Sequence, residues 1–150
     1  MKIAMGSDHA GLELKEDIKE YLQEEFSEHD IVDMGAYDTT STSYAIYGAK
    51  VGHAVAAGDV ERGIIICGSG LGISMTAGKI RGVRAALCHD EYTARMSRMH
   101  NDANILAMGG RVIGKGLARE MVKVWLEQEY EGGRHQTRVE QIESLTTEDA

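Results

Sequence analysis

RGIIICGSGLGISM (62–75) runs three isoleucines into Cys67 and then places Gly68, Gly70 and Gly72 two residues apart. An unbroken apolar run of that length is what a strand buried on both faces of a sheet requires. The glycines mark a tight turn, and LGISMTAGK (71–79) behind them reads as a short helix. The stretch is therefore a strand–turn–helix unit, and the same unit recurs on both sides of it. Upstream, Lys2–Gly6 reads as a strand, and the following helix has Leu14, Ile18, Leu22 and Phe26 on one face, with Ser7 or Asp8 available as its cap. The remaining positions of that helix, mostly Glu and Lys, read as a solvated outer face. DIVDMG (30–35) is a second strand, and TSTSYAIYGAKVGHAVAAGD (40–59) a second helix ending near Gly58. Downstream follow GVRAALCHD (82–90), DEYTARMSRMHND (90–102), NILAMGG (104–110) and GKGLAREMVKVWLEQEY (114–130), the last helix turning Leu117, Met121, Val124 and Trp125 inward. A last helix, about 135–145, stands behind the Gly132–Gly133 break, and 146–150 should fray. Strand and helix alternate five times. That pattern predicts a Rossmann-like three-layer α/β/α sandwich on a five-stranded parallel sheet, within one domain, 1–150.

The composition narrows the partners. Sixteen basic against 24 acidic residues leave a net charge of −8, which argues against nucleic acid. A small phosphorylated ligand needs only a few local cations and amide donors and is compatible with that charge. No apolar run approaches the length of a membrane span, and MKIAMGSDHAG (1–11) has no long apolar core, so a cytoplasmic protein is expected with no membrane partner. Cys67 and Cys88 are the only cysteines and should be reduced thiols. The six histidines lack zinc-type spacing, so no metal is expected.

In an open parallel sheet, ligands bind beyond the C-terminal strand ends. Those ends carry Ser7, Asp8 and His9 after the first strand and Cys67, Gly68, Ser69 and Gly70 after the third. After the fourth and fifth come His89 and Asp90, then Gly109, Gly110 and Arg111. Free amides and a helix N-terminus next to Cys67 favour negative charge, on a thiolate or on a substrate oxyanion. A base and an oxyanion hole in one turn suit proton abstraction next to a carbonyl. Other phosphate-site patterns fail. Ile73 stands where a phosphatase loop needs Arg, and also where a dinucleotide fingerprint needs its third Gly; no G-K-[ST] occurs. Taken singly, each residue has a plainer reading: Cys67 and Cys88 as small core fillers, His9 and His100 as packing or capping groups, Arg134 and Arg138 as a solvated helix face. Their concentration at one sheet edge favours chemistry.

GSDHAG (6–11), CGSGLGIS (67–74), GVRAALCHD (82–90), HNDANILAMGGRVIG (100–114) and RHQTR (134–138) together resemble the type B ribose-5-phosphate isomerases and the galactose-6-phosphate isomerase subunits related to them. The resemblance implies an aldose–ketose isomerase acting on an open-chain sugar phosphate through a cis-enediolate, with no cofactor. It implies Cys67 as the base, since Leu71 occupies the position where some relatives carry a Glu instead. Ser69 with the amides of Gly68 and Gly70 would hold the enediolate, His100 would open the furanose ring, and Asp8 would assist at the hydroxyls. Asn101 and Tyr44 would contact the sugar, and His9, Arg111, Arg134 and Arg138 the phosphate. A homodimer or homotetramer with shared active sites is implied, His100 reaching a neighbour's site. Ser43-Tyr44-Ala45-Ile46 departs from the Asp-Tyr-Pro-Asp type of segment, which leaves galactose 6-phosphate and allose 6-phosphate as alternatives to ribose 5-phosphate. A sugar-phosphate or nucleotide-binding module without turnover is the non-enzymatic alternative.

Overall fold

The computed structural model describes residues 1–147. Its elements are β1 (Lys2–Ser7), α1 (Leu12–Glu25), β2 (Asp30–Asp33), α2 (Tyr44–Ala57), β3 (Arg62–Cys67), α3 (Leu71–Gly78), β4 (Ala85–Leu87), α4 (Glu91–Met99), β5 (Ile105–Gly109), α5 (Lys115–Glu127) and α6 (Gln136–Ser144), the last entered through a 3₁₀ turn, Gly133–His135. The five strands form one parallel sheet in the order β2-β1-β3-β5-β4. From β1 the chain moves outward to β2 and then returns to place β3 on the other side. The direction of winding therefore reverses between β1 and β3, which opens a crevice at their C-terminal ends.

Alternation along β3 shows how the apolar run is used. Ile64 and Ile66 join the core under α1, α4 and α5 with Leu14, Ile18, Met121 and Trp125. Ile65 and Cys67 face the other way, into the core under α2 and α3 with Val51, Val55, Ile73 and Ala77. Both faces of the sheet are thus covered, and the expected α/β/α sandwich is the observed architecture.

Several details differ from the sequence reading. The first helix starts at Leu12 because Asp8–Gly11 form a turn, in which the Asp8 carboxylate accepts the Gly11 N–H at 3.0 Å. Lys15 belongs to no solvated face. It is fully buried, and its ammonium donates to Asp33 Oδ1 at 2.5 Å and to the Ala36 carbonyl at 2.6 Å. On α5 Met121 and Trp125 turn inward as expected, but Ala118, Val122 and Leu126 complete the buried stripe in place of Leu117, which is exposed, and Val124, which is half-buried. The fourth strand is only three residues long. Asn104 ties down the segment before it, accepting the Arg84 N–H at 2.7 Å and donating to the Gly82 carbonyl at 2.9 Å. At the C-terminal end, the N–H groups of Thr146 and Thr147 donate to the Glu143 carbonyl, and 148–150 lie outside the described residues.

Candidate active site

The reversal point between β1 and β3 carries a cavity of about 560 Å³ lined by Asp8, His9, Tyr44, Cys67, Ser69 and Arg111, with Gly68 and Gly72 in its wall. A second hollow of about 770 Å³ adjoins it through His9, Ala10 and Arg111. Of the residues expected at the strand ends, those after β1, β3 and β5 are brought together.

The turn after β3 is built around its thiol. Cys67 Sγ accepts the Gly70 N–H at 3.2 Å, and Ser69 Oγ accepts the Leu71 N–H at 3.2 Å. Gly70 adopts φ 80°, and a Cβ there would lie 2.6 Å from Leu87 and 2.8 Å from the Met108 backbone, so only glycine allows the turn to close on β5. The turn is also fixed from β5, since Gly110 N–H donates to the Cys67 carbonyl and Arg111 N–H to that of Gly68, both at 2.9 Å. Cys67 is 4 % exposed, so it is reached only from the cavity and is less open than a surface nucleophile. Cys88 lies in the core under α5, where burial pushes its thiol up from the ordinary value.

Two cationic or donor groups line the same cavity as the thiol. Arg111 lies against Gly68, whose hypothetical Cβ would be 3.4 Å from the guanidinium. His9 Nδ1 accepts the Thr42 N–H at 3.1 Å. That bond occupies the Nδ1 lone pair and leaves Nε2 to carry the ring proton as a donor. Tyr44 sits at the start of α2, where Ser43 accepts the Ala45 N–H as cap. Its ring lies over Gly72, with space for no side chain between them. His89 and Asp90 serve the scaffold: His89 Nε2 accepts the Gly109 N–H, and Asp90 caps α4.

His100, Asn101, Arg134 and Arg138 are not in this cavity. His100 is the C-cap of α4, and the chain then passes through Asn101 to Asn104, whose carbonyl accepts the N–H of Gly63 at the start of β3. Cys67 lies four residues farther along that strand, about 13 Å away at 3.3 Å per residue. The two groups of residues therefore occupy opposite ends of the sheet. Arg134 lies in the 3₁₀ turn and Arg138 one turn into α6, both exposed; among the described residues neither has a carboxylate within 4 Å. His100 stacks on His135, with ring centroids 4.2 Å apart and 16° between planes. One nitrogen of each ring and one carboxylate oxygen of Glu131 lie within 4.8 Å of one another, the one such grouping among the described residues able to hold a metal ion. Sequence reasoning passed over Glu131 and His135; their separation by four residues was the available signal.

A family model for ribose/galactose isomerases matches residues 3–142. Ribose-5-phosphate isomerase B of Escherichia coli is 48 % identical over 144 residues, spanning 96 % of this chain and 95 % of that protein. D-Erythrulose-4-phosphate isomerase of Pectobacterium atrosepticum is 40 % identical over 144 residues, 95 % of this chain and 93 % of the relative. Among solved structures, ribose-5-phosphate isomerase B of Clostridium thermocellum superposes with a TM-score of 0.96 at 48 % identity, covering all of both chains.

Proposed function

The chain belongs to the ribose/galactose isomerase family, and on that premise we propose that it interconverts the aldose and ketose forms of a phosphorylated sugar, ribose 5-phosphate and ribulose 5-phosphate first among them. The observation that carries this reading is the Cys67 thiol, held by the Gly70 amide at the end of β3, in a cavity with Arg111 and His9 in its wall. A thiolate there keeps the amide bond in its stronger, charge-assisted form. His9 Nε2 and Arg111 take the phosphate, which directs the carbonyl end of the open-chain sugar toward Cys67. Cys67 removes the C2 proton; the C2–H electron pair forms the C1–C2 double bond while the carbonyl π pair moves onto O1, giving a cis-enediolate. The Gly68 and Ser69 amides of the turn and the Ser69 hydroxyl hold the two oxygens, while the Gly70 N–H stays on Cys67 Sγ. The same thiol returns the proton to C1 while a proton passes from one oxygen to the other, with Asp8 assisting at the hydroxyls. The reaction moves protons within one molecule and consumes no cofactor.

The ring-opening group comes from a second copy of the chain in this reading. His100, Asn101, Arg134 and Arg138 lie at the wrong end of their own sheet, and the half-site around Cys67 is rimmed by exposed apolar side chains: Leu71 (55 %), Met75 (69 %) and Val112 (56 %). Such a rim suits a homodimer, or a tetramer of two dimers, in which each copy completes the other's site. No helix among the described residues is long and apolar enough to cross a membrane, in keeping with a cytoplasmic enzyme. Another sugar phosphate is the second reading, favoured by Tyr44 at the cavity wall and its unusual neighbours in sequence, Ser43, Ala45 and Ile46.

Exchange of the C2 proton in deuterated water, followed by NMR over a panel of aldose phosphates, tests both readings. The preferred substrate exchanges fastest, and Cys67→Ala lowers its rate by about 10²–10⁴, the contribution of a well-placed general base. Exchange by Cys67→Ala within a few-fold of wild type removes the base assignment. Binding of every sugar phosphate without exchange leaves a binding module and overturns the catalytic reading.

A further inference from the structure

The grouping at the end of α4 uses side chains that the cavity around Cys67 does not. His100 closes α4, and Glu131 and His135 come from the segment after α5, which is held against α4 by the Glu131 N–H bonding to the Met99 carbonyl at 3.1 Å. Gly132 and Gly133, at φ 63° and 54°, fold that segment back so that Glu131 and His135 meet. His135 is 5 % exposed. Glu131 Oε2 lies 3.2 Å from His135 Nε2 but off the axis of a hydrogen bond, so this buried nitrogen has no hydrogen-bond partner. A sealed imidazole nitrogen without a partner is rare in folded proteins and needs a reason.

We propose that His100, Glu131 and His135 form a binding site for a borderline divalent cation, Zn²⁺ before others, and that the bound ion switches turnover off by occupying the nitrogen of His100. The switch rests on the ring-opening role given to His100 above; the binding site does not. Two imidazoles and one carboxylate are a donor set zinc accepts, leaving a fourth tetrahedral position for water. Mg²⁺ and Ca²⁺ want more oxygen ligands than three residues of this kind supply. Bonds of about 2.1 Å bring tetrahedral ligand atoms about 3.4 Å apart, so the group, now within 4.8 Å, contracts by up to about 1.4 Å on binding. His135 is fixed by burial. The half-buried His100 ring turns out of the stack to aim its lone pair at the ion, and Glu131, 43 % exposed, swings in.

Zinc also favours thiolates, so the test separates this site from Cys67. Binding is measured on Cys67→Ala chains, with Zn²⁺ by calorimetry and with Co²⁺ by its visible absorption. One ion per chain binds, and Glu131→Gln and His135→Asn each weaken it at least about tenfold, circular dichroism showing both variants folded. Turnover is measured with Cys67 present. Zn²⁺ inhibits over the range in which it binds, chelator restores activity, and Glu131→Gln raises the inhibiting concentration at least about tenfold while metal-free turnover stays unchanged. No binding to Cys67→Ala, or binding that neither variant moves, overturns the site. Inhibition unmoved by Glu131→Gln belongs to Cys67 and overturns the switch. Binding that follows the variants with no effect on turnover leaves the site standing and overturns the switch together with the ring-opening role of His100.

Discussion

Gly72→Ala separates folding from function at this site. Gly72 is the second residue of α3, and a Cβ there would fall 2.3 Å from Tyr44 Cε1 and 2.4 Å from Cζ. Ordinary contact begins at 3.4 Å, so the ring has to withdraw by about 1 Å. Tyr44 is 44 % exposed and has room to do so. The helix gains from the substitution, since Gly costs roughly 0.5–1 kcal/mol relative to Ala inside a helix, and somewhat less in a first turn. The two effects nearly cancel in stability, and the urea midpoint should stay close to wild type. Catalysis is less forgiving, because a displacement of about 1 Å in a positioned group can cost up to 10²-fold. kcat/KM should therefore fall about 10- to 100-fold in a fully folded protein. Steady-state kinetics on Gly72→Ala, Tyr44→Ala and the double variant form the cycle. If the damage runs through the Tyr44 ring, adding Gly72→Ala to Tyr44→Ala costs little further activity. A kcat/KM within about twofold of wild type, or a loss that persists undiminished without the ring, refutes the argument that Tyr44 is positioned by the absence of a side chain at residue 72.

Burial pushes the Asp33 carboxyl up, but hydrogen bonds from Lys15, Lys19 and the Gly35 N–H outweigh it and hold the group below its ordinary 3.8. A depressed carboxyl contributes stability that is present above its unfolded pKa, about 4, and lost as pH falls through the lower folded value; Asp33→Asn should therefore be less stable at pH 7 yet lose less on going to pH 3, and parallel losses in urea midpoints would contradict this. Refolding Cys67→Ala and His100→Ala chains together should regain wild-type chemistry in about a quarter of the sites if each site draws on two copies. Activity no higher than the mean of the two variants would place both residues in one chain.

The fold was legible because its signals are local. The apolar run of β3 and the spacing of Leu14, Ile18 and Leu22 are each explained by burial on one element, and each is buried as expected, while the glycines behind β3 form the expected turn. The departures come from tertiary contacts that no local period encodes. Lys15 reads as solvent-facing, but the sheet edge sets Asp33 and the Ala36 carbonyl beside it, and a paired ammonium can be buried where a lone one cannot. Leu117 fits the apolar stripe of α5 by type, yet the helix phase is set by Trp125, which takes the deep position and carries Ala118 and Met121 with it.

The candidate site was legible by halves for a related reason. Residues after β1, β3 and β5 converge because parallel strands necessarily end at the same edge, so reading strand ends off the sequence identifies Asp8, Cys67, Ser69 and Arg111 without any distance being known. The helices run back, and their C-terminal ends gather at the opposite edge, which is where His100 and Asn101 lie; the segment carrying Arg134, His135 and Arg138 joins them because Glu131 is tied to Met99. That second gathering obeys the same geometry as the first but has no single motif to announce it, and Glu131 and His135 enter it only through a left-handed Gly-Gly turn. A sheet of this topology thus has two chemically furnished edges separated by the length of β3. Side-chain motion within one chain does not span that separation, and in the proposed two-fold pairing one copy's helix ends, set against the other's strand ends, would close it twice. The exposed Leu71 and Met75 beside the Cys67 turn are the apolar surface such a pairing would bury.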